Sequence, residues 1–165
     1  MQRRLMTTLL VTALSGCGFK MRGGATFNIN SLLVSSATVP PGATALQLLR
    51  ALVNSGQLVV LLDPTQRART QAHLEVISES RERVVVGVSS AGQVREFQLR
   101  SRLRFRVRAT SGADLIADSE IVQQRDISYS ESAALSKEAE EVRLYQDMQN
   151  DIVQQVLRQL SAIKL

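Results

Sequence analysis

The chain has 165 residues, 44% of them hydrophobic and 21% charged, with a formal charge of +5 and a sequence pI near 10.1. That composition suits one domain with a real core and argues against disorder. A single Cys excludes a disulfide scaffold, and no apolar run approaches the roughly 20 residues of a spanning helix.

Aromatics make up 4% and Trp is absent, so aliphatic residues must build the core. The basic balance points to acidic partners, phosphates or membrane surfaces, without choosing between them. In chain order, Arg3 and Arg4 precede an apolar stretch, Leu5 to Leu14. This is the charge-then-apolar pattern of a secretory signal, too short for an anchor. It ends in Leu14-Ser15-Gly16-Cys17, which resembles the bacterial lipobox, where the thiol is acylated and the signal is cut just before it. Residues 1–16 therefore read as a removed signal peptide and 17–26, rich in Gly, as a lipidated tether. Several acyl chains on Cys17 would hold the protein to a bilayer, where one chain alone is marginal. Gly18 stands where an Asp would resemble an inner-membrane retention signal, which favours the outer membrane.

The remainder, 27–165, reads as one domain. Phe27 to Ser36 looks like a strand, and Pro40-Pro41-Gly42 breaks it. A helix follows, capped by Thr44, with Leu46, Leu49, Leu52 and Val53 on one face. Leu58 to Leu62 is a short buried strand closed by Asp63-Pro64. Three alternating segments come next: His73 to Ser89, Val94 to Thr110 and Asp114 to Tyr129, separated by Gly-containing turns. They predict an antiparallel meander with one buried face, carrying Leu74, Val76, Val84, Val86 and Val88 on its first strand. Glu131 to Leu165 lacks Gly and Pro and reads as a long amphipathic helix with Leu135, Ala139, Val142, Tyr145, Ile152, Val156, Leu160 and Ile163 inward. The order predicts an α+β two-layer domain.

The second meander strand carries Arg100, Arg102, Arg104, Arg106 and Arg108 on one face. Five like charges on a strand repel unless something answers them. Two registers at the Ser111 turn supply acids: one sets Arg104, Arg102 and Arg108 opposite Asp118, Glu120 and Asp114, the other sets Arg106 and Arg104 opposite Asp118 and Glu120. On the other side, keeping the apolar faces together sets Glu79 near Arg104 and Glu75 near Arg108. It also gathers Arg81, Arg83, Arg100 and Arg102 on one face, with Glu82 on the other. Such a patch is either an ordinary solvated face or, lacking partners, a site for bidentate phosphate binding.

Catalytic provision is poor. His73 is the only His, acylation uses the only Cys, and no metalloprotease, nucleophile-elbow or phosphate-loop motif is present. The acids at Glu138, Glu140 and Glu141 read as a solvated first turn rather than a metal site. No cofactor is expected beyond the N-acyl diacylglyceride on Cys17. Export and the scarcity of exposed aromatics argue against nucleic acid.

Cys17-Gly18-Phe19-Lys20-Met21-Arg22-Gly23 resembles the mature start of LPS-assembly lipoproteins of the LptE family, with Met21 in place of Leu. Arg95-Glu96-Phe97, Arg125-Asp126 with Tyr129, Lys137 to Glu141, and Met148 through Leu160 are similar to the same family. The resemblance implies two helices packed on one face of a mixed four-stranded sheet, with room for a fifth short strand. It also implies a non-enzymatic outer-membrane lipoprotein that plugs and helps assemble the LptD β-barrel and binds lipopolysaccharide for delivery to the cell surface. Arg81, Arg83, Arg100 and Arg102 are then the candidate lipopolysaccharide contacts. The alternative is a periplasm-facing outer-membrane lipoprotein that scaffolds another barrel or envelope complex or binds peptidoglycan.

Overall fold

The computed structural model describes residues 26–38 and 40–164. The signal peptide and Cys17, and all but the last residue of the tether, lie outside that range. Five strands, β1 (Ser31–Ser36), β2 (Val59–Leu61), β3 (Ala72–Val88), β4 (Val94–Ala109) and β5 (Asp114–Ser128), form one mixed sheet in the order β2-β1-β3-β4-β5. The class is α+β as expected, and the short apolar run is a true fifth strand, parallel to β1, so the sheet is five-stranded rather than four-stranded. β3, β4 and β5 form the antiparallel meander.

Helices α1 (Ala43–Asn54) and α2 (Ala134–Ser161) form the second layer. The core lies between layers. Leu32 and Val34 of β1, Leu74 and Val76 of β3, and Leu103, Phe105 and Val107 of β4 meet Ala45, Leu48 and Leu52 of α1 and Ile152, Val153, Val156 and Leu160 of α2. On α1 the buried positions are Thr44, Ala45, Leu48 and Leu52, so the helix is rotated from the expected face, and Leu46 and Val53 look outward. The 3-10 turn Pro64–Arg69 packs against β1, and Leu33 of that strand is buried as well.

The cap of α1 comes from far away in sequence. Gly42 occupies the N-cap position and offers no side chain. Glu79 of β3 supplies one: its carboxylate accepts from Thr44 N (2.9 Å), Thr44 Oγ1 (2.8 Å) and Ala45 N (3.2 Å). A carboxylate there satisfies orphan N–H groups and meets the positive end of the helix dipole. Thr44 is the residue being capped, not the cap.

α2 is half docked. From Met148 onward its inner residues are buried, whereas Leu135 and Val142 are 84% and 58% exposed and Ala139 is exposed too. The expected inward stripe therefore holds only for its second half. The reason is reach: α1 has twelve residues, and its buried side chains cluster with α2 from Ile152 onward. Ahead of it, α2 meets β4 and β5 through a small cluster of Leu99, Ile127 and Met148 with Phe97, Leu144 and Tyr145.

Candidate ligand-binding face

β3 begins with Leu74 and Val76 in the core, opposite Val107 and Phe105. At Ile77 the ladder slips: Val76 faces Phe105, but Ser78 faces Arg104. One extra residue reverses which side chains point to which face. Beyond this bulge Glu79, Arg81 and Arg83 oppose Leu103, Ser101 and Leu99, on the helix-covered side. Ser78, Ser80 and Glu82 oppose Arg104, Arg102 and Arg100, on the bare side.

This corrects the expected patch. Arg81, Arg83, Arg100 and Arg102 do not share a face. An unbroken strand would gather all four, but the bulge sends Arg81 and Arg83 to one side and Glu82 to the other. The same bulge exposes Val84, which the alternation had placed inward; Val86 and Val88 nearer the turn are exposed too.

The bare face is a neutralised ladder. Arg108 binds Asp114 (2.9 Å), Arg106 binds Glu75 (2.6 Å) and Arg104 holds Asp118 through two bonds of 2.7 and 2.5 Å. The hydrogen bond from Arg104 holds the Asp118 carboxyl below the usual carboxylate range. Both registers considered for β4–β5 occur: Arg104 opposes Glu120, and past the bulges near the turn Arg108 opposes Asp114. Glu75 opposes Arg106 rather than Arg108, and Glu79 has left for α1. Arg102 reaches Glu82 at 3.4 Å, while its Nε is buried without a partner among the described residues. Arg100 donates to Gln98 Oε1 at 2.8 Å.

The hairpin's helix side differs. The Arg81 guanidinium lies 5.4 Å from the centre of the Tyr145 ring, and Arg83 lies 4.7 Å from that of Phe97. Stacking on aromatic faces orders a guanidinium while leaving its N–H edge open. Arg83 also pairs with Glu141 of α2 at 3.1 Å. Arg81 makes no ion pair among the described residues. Tyr145 donates to the Glu82 carbonyl at 2.8 Å; burial, aided by Glu141, pushes its phenol above the ordinary value. A 130 Å³ cleft beside Arg83 is lined by Phe97, Tyr129, Lys137 and Glu141 among others. Phe97 and Tyr129 meet edge to face at 5.2 Å. Lys137, Glu141 and Tyr145 were missed as contributors because only the fold brings α2 over the hairpin.

His73 lies on the bare side of β3, bonded through Nε2 to Ser35 Oγ at 2.7 Å. Burial, then the Arg67 charge, lowers its pKa; Glu75 opposes the shift, and Arg106 and Arg108 add to it. Among the described residues Ser35 is its one side-chain hydrogen-bond partner. Among the described residues no group of His, Cys, Asp or Glu is arranged to hold a metal ion, and no helix is long and apolar enough to cross a membrane.

The sheet thus carries aromatic-stacked arginines on its helix side and an ion-paired ladder on its bare side. The lipopolysaccharide-assembly family LptE matches over residues 29–160, and the chain belongs to that family. Its fold is similar to that of an uncharacterized lipoprotein B from Nitrosomonas europaea, at 30% identity over 88% of this chain and 91% of that one, with a TM-score of 0.73. It also resembles rare lipoprotein B from Shewanella oneidensis (22% identity, 81% and 95% covered, TM-score 0.65) and a minor lipoprotein from Acinetobacter baumannii (17%, 81% and 91%, TM-score 0.61). No curated protein matches the chain.

Proposed function

We propose that this is a non-enzymatic lipoprotein of the outer membrane, anchored through an acylated Cys17. It sits within the LptD β-barrel, supports that barrel's assembly, and contacts lipopolysaccharide on its way to the surface. The observation that carries this reading is the family match across nearly all of the described residues. The chemistry agrees: lipopolysaccharide is a phosphorylated glycolipid, and guanidiniums bind phosphate bidentately.

The contact site we propose is the helix side of the hairpin, at Arg81 and Arg83. Arg81 is uncompensated among the described residues and both guanidiniums are held by aromatic rings. Arg100 and Arg102, on the opposite face, form a separate and partly satisfied pair. The test is a titration of lipopolysaccharide against the protein and two double variants, Arg81→Ser with Arg83→Ser and Arg100→Ser with Arg102→Ser, at two salt concentrations. The first variant should bind more weakly and with a shallower salt dependence, since exposed charges are screened over about 10 Å at 0.1 M salt. Unchanged binding by the first variant, with loss in the second, would move the site to the bare face. Unchanged binding by both would remove the arginines from the account.

A further inference from the structure

The two sheet edges differ. β2 has three residues and offers little for pairing. β5 has fifteen, with a hydrogen-bonded neighbour on its β4 side only among the described residues. Long open edges are templates for another strand, and proteins blunt them with Pro, Lys, bulges or a covering element. β5 contains no Pro, Gly or Lys. Its bulges are confined to the end near the Ser111 turn, and from Ser119 to Ser128 the ladder runs without a shift.

The chemistry along that stretch is specific. On the bare face β5 presents Glu120, Val122, Gln124 and Asp126, opposite Arg104, Arg102, Arg100 and Gln98. Arg104 gives its bonds to Asp118, not to Glu120. Asp126 accepts only the neutral Gln98 amide, at 3.0 Å. Neither Glu120 nor Asp126 has a cation within salt-bridge distance among the described residues. Val122 between them is 45% exposed. On the helix side Ile121 and Ile127 are buried.

We infer that β5 is an acceptor edge for an extended polypeptide segment with two basic residues six positions apart on one face. Added antiparallel, such a strand would set one cation opposite Asp126 and another opposite Glu120, with an apolar residue against Val122. Backbone pairing would supply affinity, and the two carboxylates would supply selection and register. A second copy of this chain is a poor occupant. Two β5 strands paired about Val122 set Asp118 against Asp126, and paired about Gln123 they set Glu120 against Asp126. This inference does not depend on lipopolysaccharide binding.

The probe is the end-blocked peptide Thr-Val-Lys-Thr-Gln-Thr-Val-Val-Lys, titrated into the full chain in detergent and followed by amide hydrogen exchange. The expected result is slowed exchange confined to β5 amides between Ser119 and Ser128. A peptide with Glu for both Lys should bind at least tenfold more weakly. The double variant Glu120→Gln with Asp126→Asn should lose three- to tenfold, about the scale of two exposed ion pairs. The proposal is overturned by any of three outcomes: no binding at millimolar peptide, equal binding of the acidic peptide, or protection that arises with protein concentration alone. The acidic-peptide arm needs no variant, so a folding defect in the double variant leaves the test intact.

Discussion

Replacing Glu79 with Ala should destabilise the fold more than its position on a half-exposed strand suggests. The carboxylate accepts three hydrogen bonds, two from backbone N–H groups of the first turn of α1 and one from the Thr44 hydroxyl. Thr44 is fully buried, so water does not replace the lost acceptor there. Loss of a helix cap costs about 0.5–2 kcal/mol, and each buried donor left unpaired costs about 1–3 kcal/mol. The first turn will relax, so about 3 kcal/mol is the expected total, a fall in Tm of roughly 6–12 °C for a chain of this size. Glu79→Gln keeps an acceptor oxygen but loses the charge and should fall about halfway. A second variant isolates the contact. A Cβ on Gly42 would overlap the Glu79 carboxylate, so Gly42→Ala must displace it. Gly42→Ala should therefore cost stability in the parent protein and much less in the Glu79→Ala background, a non-additive cycle. Thermal melts of the four proteins by far-UV circular dichroism measure it. Strict additivity, or an unchanged Tm for Glu79→Ala, would refute the long-range cap.

Val156→Pro should cost roughly 3 kcal/mol or more, because it removes a helix hydrogen bond and a fully buried contact together; a cooperative melt at unchanged temperature would show that α2 is not docked. His73 should make stability fall as pH falls below about 6.5. Its folded-state pKa is depressed, so the unfolded chain takes up the proton first and stability rises with pH through that window. The fall continues down to the folded-state pKa and then levels. Denaturant titrations at intervals between pH 8 and 5 should show this slope, and His73→Asn should flatten it; a parent protein equally stable across the range would contradict it. Cys17→Ser should release the protein from membranes, because acyl chains contribute about 0.8 kcal/mol per buried CH₂. Fractionation in cells lacking the barrel reads it, and retention of the Ser variant there would remove the lipid anchor from the account.

The class of fold was legible because it rests on periodicity. The meander, its Gly turns and the long last helix all follow from spacing that survives a shift of one or two residues. The faces of β4 were legible too, but those of β3 past Ile77 were not, because they depend on register. Nothing in His73 to Ser89 marks Ile77 as the extra residue except an alternation that reads well on either side of it. Leu74 and Val76 set one phase, and Glu79, drawn to the N-terminus of α1, sets the other. That attraction links positions 44 and 79, and no local pattern encodes it. The arginine ladder was half legible: the Arg108–Asp114 pair lies across a turn and needed only the turn, whereas Arg83 with Phe97 and Glu141 needed the bulge and the overhang of α2. The exposure of Leu135 and Val142 has the same origin, since amphipathicity shows that a helix has an apolar face but not how far the rest of the protein extends to cover it.

The central claim, a proposal, is that this chain contacts lipopolysaccharide from within a β-barrel of the outer membrane. Its most direct test is photo-crosslinking in intact cells from a reporter amino acid placed at Val85, on the hairpin's helix side beside Arg83. The captured species would be identified by immunoblot and mass spectrometry. The account predicts two adducts, one with lipopolysaccharide and one with a large outer-membrane β-barrel protein, the first diminished by Arg81→Ser with Arg83→Ser. Capture of neither, with the protein folded and in place, would contradict it.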